Sequence, residues 1–282
     1  MISLGNWKII PIESGDFRLD GGAMMGSVPK ILWEKTNPPD KYNRIDLAMR
    51  CLLLDDGKNL IIVESGIGNK FENDFKKRFN IIQTKNPIED KLNELGYHID
   101  DITHVILTHL HFDHCGGATK YSNGKIVPAF RNAKYYISKE NWNLANNPNP
   151  RDRASYLNIN FQVLDNDNIL NLIPNNSNIK EGISTITVNG HTFGQQLIKI
   201  FNNNQTLLFC SDLIPLKSHL NIPWIMGYDL NALKTLNEKS EILEEACKNS
   251  WWLWFYHDPK VVAVKIKKGK KYYDIEHEII RC

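Results

Sequence analysis

The chain is 282 residues long, with 42% hydrophobic and 23% charged residues and a formal net charge of +2. That length can bury a substantial core, and the composition is ordinary for a globular protein. The small net charge gives no electrostatic case for nucleic acid as a partner, and no apolar run approaches the ~18 residues a membrane span needs.

The first 45 residues carry many turn formers, Gly21-Gly22, Gly26, Pro29 and Pro38-Pro39 among them, with Trp7, Met24, Met25 and Trp33 interspersed. They predict an irregular segment lying over the main body, since disordered tails lack such bulk. Met49–Leu54 and Leu60–Glu64 are apolar runs split by Asp55-Asp56-Gly57, a hairpin signal. In Ser65-Gly66-Ile67-Gly68 the lone Gly-x-Gly reads as a tight turn rather than a nucleotide loop. Phe71–Asn80 and Ile88–Leu95 read as helices, the second ended by Gly96. Val105–Thr108 is a short buried strand, and Gly116-Gly117 open a helix or turn. Ala133–Ser138 is strand-like, Lys139–Ala145 helical, and Asn146–Pro150 a breaker cluster. Residues 165–178, rich in Asn, Asp and Pro, predict surface loops. Strands follow at Ile183–Val188, Gln196–Phe201 and Thr206–Cys210, the last two joined through Asn202-Asn203-Asn204. Asp229–Lys248 has helical spacing with Leu230, Leu233, Leu236, Ile242, Leu243 and Ala246 as its apolar face. Strands close the chain at Trp251–Tyr256, Val261–Ile266 and Tyr272–Ile275. The lysines Lys265, Lys267, Lys268, Lys270 and Lys271 mark a solvated hairpin. Strands and helices mix throughout, so the class is α/β or α+β.

The five cysteines, Cys51, Cys115, Cys210, Cys247 and Cys282, are odd in number, widely spaced and without a CxxC pair. With no secretory leader evident, they predict a reduced, cytoplasmic protein.

Chemistry concentrates in His109-Leu110-His111-Phe112-Asp113-His114. Two histidines two residues apart in an extended segment point the same way, so both can meet one ion. Asp113 and His114 come after the turn and can face a second. Imidazole nitrogen and carboxylate oxygen are ligands that zinc accepts. At this composition the pattern HxHxDH arises by chance in roughly one such chain in two thousand. Further candidates each end an apolar run: His191 after Ile183–Val188, Asp212 after Thr206–Cys210, and His257 after Trp251–Tyr256. Strand ends are where a rigid scaffold can converge side chains. His104 reads as structural, His98 and His277 as surface residues, and Cys115 and Cys210 as small core residues.

HxHxDH, then Gly-His, then Ser-Asp, then a late His resembles the ordered motif set of the metallo-β-lactamase superfamily, from about Met49 to His257. The resemblance implies a single αβ/βα four-layer sandwich over 1–282, with 1–45 packed near the site. It implies that His109, His111 and His191 bind one metal, that Asp113, His114 and His257 bind a second, and that Asp212 bridges both. The ions would be divalent, zinc first, with manganese, iron or cobalt admitted because no thiolate ligand excludes them. Two metals sharing a water lower its pKa towards about 7, and Asp113 could carry a proton to the leaving group.

Within the superfamily the chain is most similar to the lactonase and methyl-parathion-hydrolase-like branch, through Gly22-Ala23-Met24-Met25-Gly26, Trp33, Asp212-Leu213-Ile214-Pro215 and Tyr256-His257-Asp258-Pro259. Two departures stand out. Gln195 replaces the last His of Gly-His-Thr-x-Gly-His, and Pro215 stands where homoserine lactonases carry a tyrosine. Tyr228 or His219 could take that tyrosine's place. Phe112, Phe193, Trp224, Met24, Met25 and Trp33 are the expected substrate rim, with packing of the N-terminal segment as the other reading of Met24, Met25 and Trp33. An apolar rim favours lactones and carboxylic esters over phosphodiesters. Phosphotriesters and thioesters are the alternative substrates, and a nuclease or a non-catalytic metal-binding protein ranks lower. The expected partner is a small-molecule ester or lactone, with no nucleic acid, no membrane, and a homodimer admitted.

Overall fold

The computed structural model describes residues 2–166 and 169–281. Strands β1 (Ile2–Leu4) and β2 (Trp7–Asp20) open the chain as an antiparallel pair. Short helices α1 (Gly21–Met25) and α2 (Lys30–Trp33) follow, the first capped by the Asp20 carboxylate accepting from the Ala23 amide at 2.8 Å. The expectation of an irregular segment over 1–45 is thus corrected. The turn formers flank a 14-residue strand, along which Trp7, Ile9, Ile12 and Phe17 are buried.

Next come β3 (Arg44–Asp55) and β4 (Leu60–Val63), an antiparallel pair turned by Asp55-Asp56-Gly57 as the sequence predicts. They are followed by α3 (Asn73–Arg78), α4 (Pro87–Glu94), β5 (His104–Ile106) and the four-residue helix α5 (Phe112–Cys115). A small hairpin, β6 (Thr119–Ser122) and β7 (Lys125–Pro128), precedes β8 (Lys134–Ser138), α6 (Lys139–Asn146), α7 (Gln162–Asn166) and β9 (Leu170–Ile173). The remaining elements are β10 (Asn178–Lys180), β11 (Ile183–Val188), β12 (Gln195–Phe201), β13 (Thr206–Phe209), α8 (Ala232–Lys248), β14 (Trp252–Trp254), β15 (Val261–Lys268) and β16 (Tyr273–Ile280).

The strands form two seven-stranded sheets, ordered β1-β2-β3-β4-β5-β8-β9 and β10-β11-β12-β13-β14-β15-β16. The chain divides into two compact units, Met1–Gly15 with Met49–Ser177 and Asp16–Ala48 with Asn178–Cys282. In the first, β4, β5, β8 and β9 run parallel, so their carboxyl ends share one sheet edge. In the second, β13 and β14 are parallel, and β11 runs in their direction because two antiparallel pairings separate it from β13. Ligands gather at the carboxyl ends of parallel strands because crossovers leave open loops there. Helix α8 is the crossover from β13 to β14. It buries Ile242, Leu243 and Ala246 in a core with Leu208, Leu253 and Phe255.

Some details differ from the sequence reading. The loop expected over 165–178 holds β9 at a sheet edge, where Tyr135 to Ser138 supply its partners despite its flanking Asn and Pro; residues 167 and 168 of that stretch lie outside the described residues. Helix α8 starts at Ala232, not Asp229, because the Asn231 side chain caps it on the Lys234 amide at 3.0 Å. Leu230 therefore precedes the helix, and Leu233 is 76% exposed rather than part of its apolar face. Cys51, Cys115, Cys210 and Cys247 are free thiols, and Cys282 lies outside the described residues. Among the described residues no helix is long and apolar enough to cross a membrane.

Candidate metal centre

In the first unit the chain leaves β5 through Thr108-His109-Leu110-His111 and enters α5. Two contacts fix this turn. The Leu110 amide donates to the Asn141 side-chain oxygen at 2.8 Å, and the amides of His114 and Cys115 close on the His111 carbonyl at 3.1 and 3.0 Å. The next residues lie flush on the Ser65–Gly68 turn. A Cβ on Gly116 would stand 2.1 Å from the Ile67 oxygen, and one on Gly117 2.0 Å from that of Ser65, so only glycine fits at either.

Beneath the histidines sits Glu64, fully buried and held in the left-handed region at φ 68°. Its Oε1 accepts from the Thr108 amide at 3.2 Å and from the Thr108 hydroxyl, and it stands 3.4 Å from His114 Nδ1. Since the Thr108 hydroxyl donates to Glu64, its oxygen accepts from His109 Nδ1 at 2.9 Å. That places the His109 proton on Nδ1 and a lone pair on Nε2. His109 Nε2 in turn lies 3.1 Å from His111 Nδ1, and His114 Nε2 lies 3.9 Å from Asp113 Oδ2. Burial raises the Glu64 pKa, with His114 and Thr108 opposing the shift.

The second unit builds a matching arrangement. His191 follows β11, Asp212 follows β13 and His257 follows β14. His191 Nδ1 donates to Asp229 Oδ1 at 2.9 Å, and His257 Nδ1 donates to the Ala48 carbonyl at 2.9 Å. A neutral ring at either position therefore has its lone pair on Nε2. Those nitrogens face the two oxygens of one carboxylate: His191 Nε2 is 3.4 Å from Asp212 Oδ2, and His257 Nε2 is 3.3 Å from Asp212 Oδ1. Two acceptors at this distance repel unless a proton or a metal ion lies between them. Ser211, just before Asp212, has φ 46°, and the Gln195 side-chain amide donates to its hydroxyl at 3.0 Å.

The other sequence candidates differ in burial and in their contacts. Phe112 is 9% exposed and packs against Phe75 and Phe79 at ring-centroid distances of 5.5 and 5.1 Å. Phe71 stacks on Phe75 at 4.2 Å, and Phe79 follows Phe75 at 4.7 Å. Phe75 lies on α3, which buries none of its residues. Phe193 and Tyr228 are 49% and 38% exposed, whereas Met24 and Trp33 are buried. Trp224 is half-buried, and its carbonyl accepts from Lys239 Nζ at 2.6 Å. His219 is buried and donates through Nε2 to the Met24 carbonyl at 3.0 Å; burial, then Lys239, pushes its pKa down to about 3. It thus anchors the α1 segment as a neutral ring. His104 stacks on Tyr136 at 5.6 Å, in keeping with a structural role. Sequence reasoning missed Glu64, Thr108, Asp229 and Tyr156, the last lying 4.8 Å from the His111 ring. Glu64 alone carried a usable signal, an acid closing the apolar run Leu60–Val63.

The family model described as the metallo-beta-lactamase superfamily matches residues 48–245. An N-acyl homoserine lactonase from Bacillus cereus is 27% identical over 175 residues, 56% of this chain and 60% of that protein's length. The chain therefore matches less than two thirds of that relative. A crystal structure of a probable metal-dependent hydrolase from Staphylococcus aureus is similar with a TM-score of 0.91 at 28% identity, covering 99% of both chains. A dizinc quorum-quenching lactonase in complex with its product, an N-acyl-L-homoserine, gives a TM-score of 0.81 at 18% identity, covering 100% of this chain and 97% of that one.

Proposed function

The chain belongs to the metallo-β-lactamase superfamily and has its fold, and from that membership we propose that it is a metal-dependent hydrolase whose substrates are lactones and carboxylic esters. The ligands in this reading are His109, His111, Asp113, His114, His191, Asp212 and His257. They would hold two divalent ions, zinc first, as in the dizinc lactonase of similar fold. The observation that carries the reading is Asp212, each of whose oxygens faces an imidazole Nε2 at 3.3–3.4 Å. A bridging carboxylate needs that disposition. The chemistry the ions supply when bound is a water pKa lowered towards about 7 and a Lewis acid for the substrate oxygen.

The chain's own residues do the rest. Glu64, Asp229 and the Ala48 carbonyl hold imidazole protons on Nδ1, directly or through Thr108, and so aim the opposite nitrogens. Asp113 is suited to carry a proton to the departing alcohol. The ladder Phe71, Phe75, Phe79 and Phe112 stands beside the His111 and Asp113 backbone and offers an apolar, partly exposed surface. Such a surface suits an acyl or aryl group and gives a polyanion nothing to pair with.

The test is kcat/KM on an aliphatic lactone, an aryl ester, a phosphotriester and a phosphodiester. The lactone and aryl ester should lead, with the phosphotriester as a slower side reaction. A clear preference for the phosphodiester would refute the reading.

A further inference from the structure

We propose that Glu238, on α8, is a positioning residue that sets the aim of His191 by gripping the peptide before it. This rests on the reading of His191 as a metal ligand. Glu238 Oε1 accepts from the Asn189 amide at 2.8 Å, and Oε2 accepts from the Gly190 amide at 2.9 Å. One carboxylate thereby holds two consecutive backbone N–H groups. Charge-assisted bonds of this kind are about twice as strong as neutral ones, and a two-point grip fixes orientation as well as distance.

The rest of α8 and its lead-in complete the mount. The Asn231 amide donates to the Gly190 carbonyl at 2.9 Å, and the Leu230 amide to the His191 carbonyl at 3.1 Å. A Cβ on Gly190 would lie 2.3 Å from Thr235 Oγ1 and 2.6 Å from its Cα, so the loop rests directly on the helix. The Asn189 side chain turns back to accept from the Gly194 amide at 2.7 Å, closing the loop on its far side. His191 is therefore held at backbone level from α8, and its ring is held separately, its Nδ1 donating to Asp229 Oδ1 at 2.9 Å. Glu238 touches neither the ring nor the ligand atoms. Its effect passes through the peptide, which is what separates it from Asp229.

The test uses full-length chain stripped of metal and titrated with zinc against a chromophoric chelator, giving two stepwise dissociation constants. Glu238→Gln keeps one acceptor but turns an NH2 group towards the second amide. The expected result is that one constant weakens about 10- to 100-fold, the range for residues that orient a ligand, while the other stays as in the wild type. Glu245→Gln makes the same charge change at an exposed position of the same helix and should leave both constants unchanged. Gly190→Ala reaches the loop from the other side by driving a methyl into Thr235, and should weaken the same constant even if Glu238→Gln does not fold. Two unchanged constants in Glu238→Gln, or an equal loss in both, overturn the inference and leave the metal reading standing. A wild type that binds no zinc overturns the metal reading, and this inference falls with it.

Discussion

Replacing Glu64 with glutamine should move metal affinity and metal-free stability in opposite directions. Glutamine keeps the shape, and its oxygen can still accept from Thr108. What goes is the charge on an oxygen that receives the Thr108 amide and hydroxyl and faces His114 Nδ1 at 3.4 Å. A hydrogen bond to a charged group contributes about 1.5–3 kcal/mol and a neutral one about 0.5–1.5 kcal/mol. Losing the difference at two contacts, the Thr108 hydroxyl and His114, costs about 2 kcal/mol in ligand orientation. At 1.4 kcal/mol per tenfold, that is a ~30-fold weaker metal dissociation constant. The metal-free fold responds with the other sign. Burial raises the folded-state pKa of Glu64 above its ordinary value. A raised carboxyl pKa means that the ionised form opposes folding at neutral pH, and that the penalty is relieved as pH falls through the folded-state pKa. Glutamine removes that penalty. Chelator competition gives the affinity, and thermal melts with and without EDTA give the stability. An unchanged dissociation constant, or a metal-free protein that melts clearly lower than wild type, would refute the assignment of Glu64 as the group that aims these histidines.

Three further outcomes follow from the same geometry. Asp212→Ala removes both oxygens that face His191 and His257, and turnover should fall by orders of magnitude, whereas His104→Gln should lower the melting temperature and spare turnover; equal losses in two folded variants would show the ligand assignment to be wrong. Lys239 is buried and donates to the Asn221 and Trp224 carbonyls, and burial lowers its pKa to about 7 from an ordinary 10.5. Between those values the unfolded chain binds the proton and the folded chain does not, so this group should make stability rise from pH 7 to 9; melts of Lys239→Met should lack that rise, and an identical pH dependence would count against it. Phe75→Ala opens the centre of the aromatic ladder, so kcat/KM should fall about tenfold or more for a long-chain lactone and far less for a short one, in line with the ~1–3 kcal/mol an apolar contact of this size contributes to discrimination; an equal fall for both chain lengths would remove the ladder from the substrate site.

The fold and the candidate ligand residues were legible to different depths. Period and punctuation located β3, β4, β5, β8, β11 to β15 and α8, because a buried strand is an apolar run and a turn needs Gly, Asn or Asp. They failed at β2, where turn formers at both ends and Pro11 within masked a long strand, and at β9, where neighbouring strands rather than local composition decide the structure. The histidines and Asp212 stood out because unusual residue types cluster at strand ends. Glu64, Asp229 and Glu238 did not, since a lone carboxylate has no signature until the partner that receives it is known. Phe71, Phe75 and Phe79 lay inside the predicted helix Phe71–Asn80, where spacing alone does not say what they face. Only the structure shows that this helix buries none of its residues and presents the rings beside Phe112.

Both units place their candidate ligands by one device. Each takes a strand that ends at its own sheet's carboxyl edge and follows it with a non-glycine residue in the left-handed region: Glu64 after β4 at φ 68°, Ser211 after β13 at φ 46°. Such a backbone costs of order 1–3 kcal/mol and persists where surrounding contacts impose it. Here those contacts can be named. The Glu64 amide donates to the Ile106 carbonyl at 2.9 Å, which keeps the strained residue in register with β5 and under His109. Ser211 is held through its hydroxyl by Gln195 at 3.0 Å, which ties the turn before Asp212 to β12. Gln195 stands where many superfamily members have histidine, so its amide gives that substitution a physical role. It supplies a donor to a strained turn without adding a further imidazole beside the ligands. Gln195→Leu should therefore loosen Asp212 while leaving every ligand in place. Zinc affinity and turnover should fall together, and Gln195→His should restore both; a Gln195→Leu protein that binds zinc and turns over like wild type would leave the strain at Ser211 supported by something else.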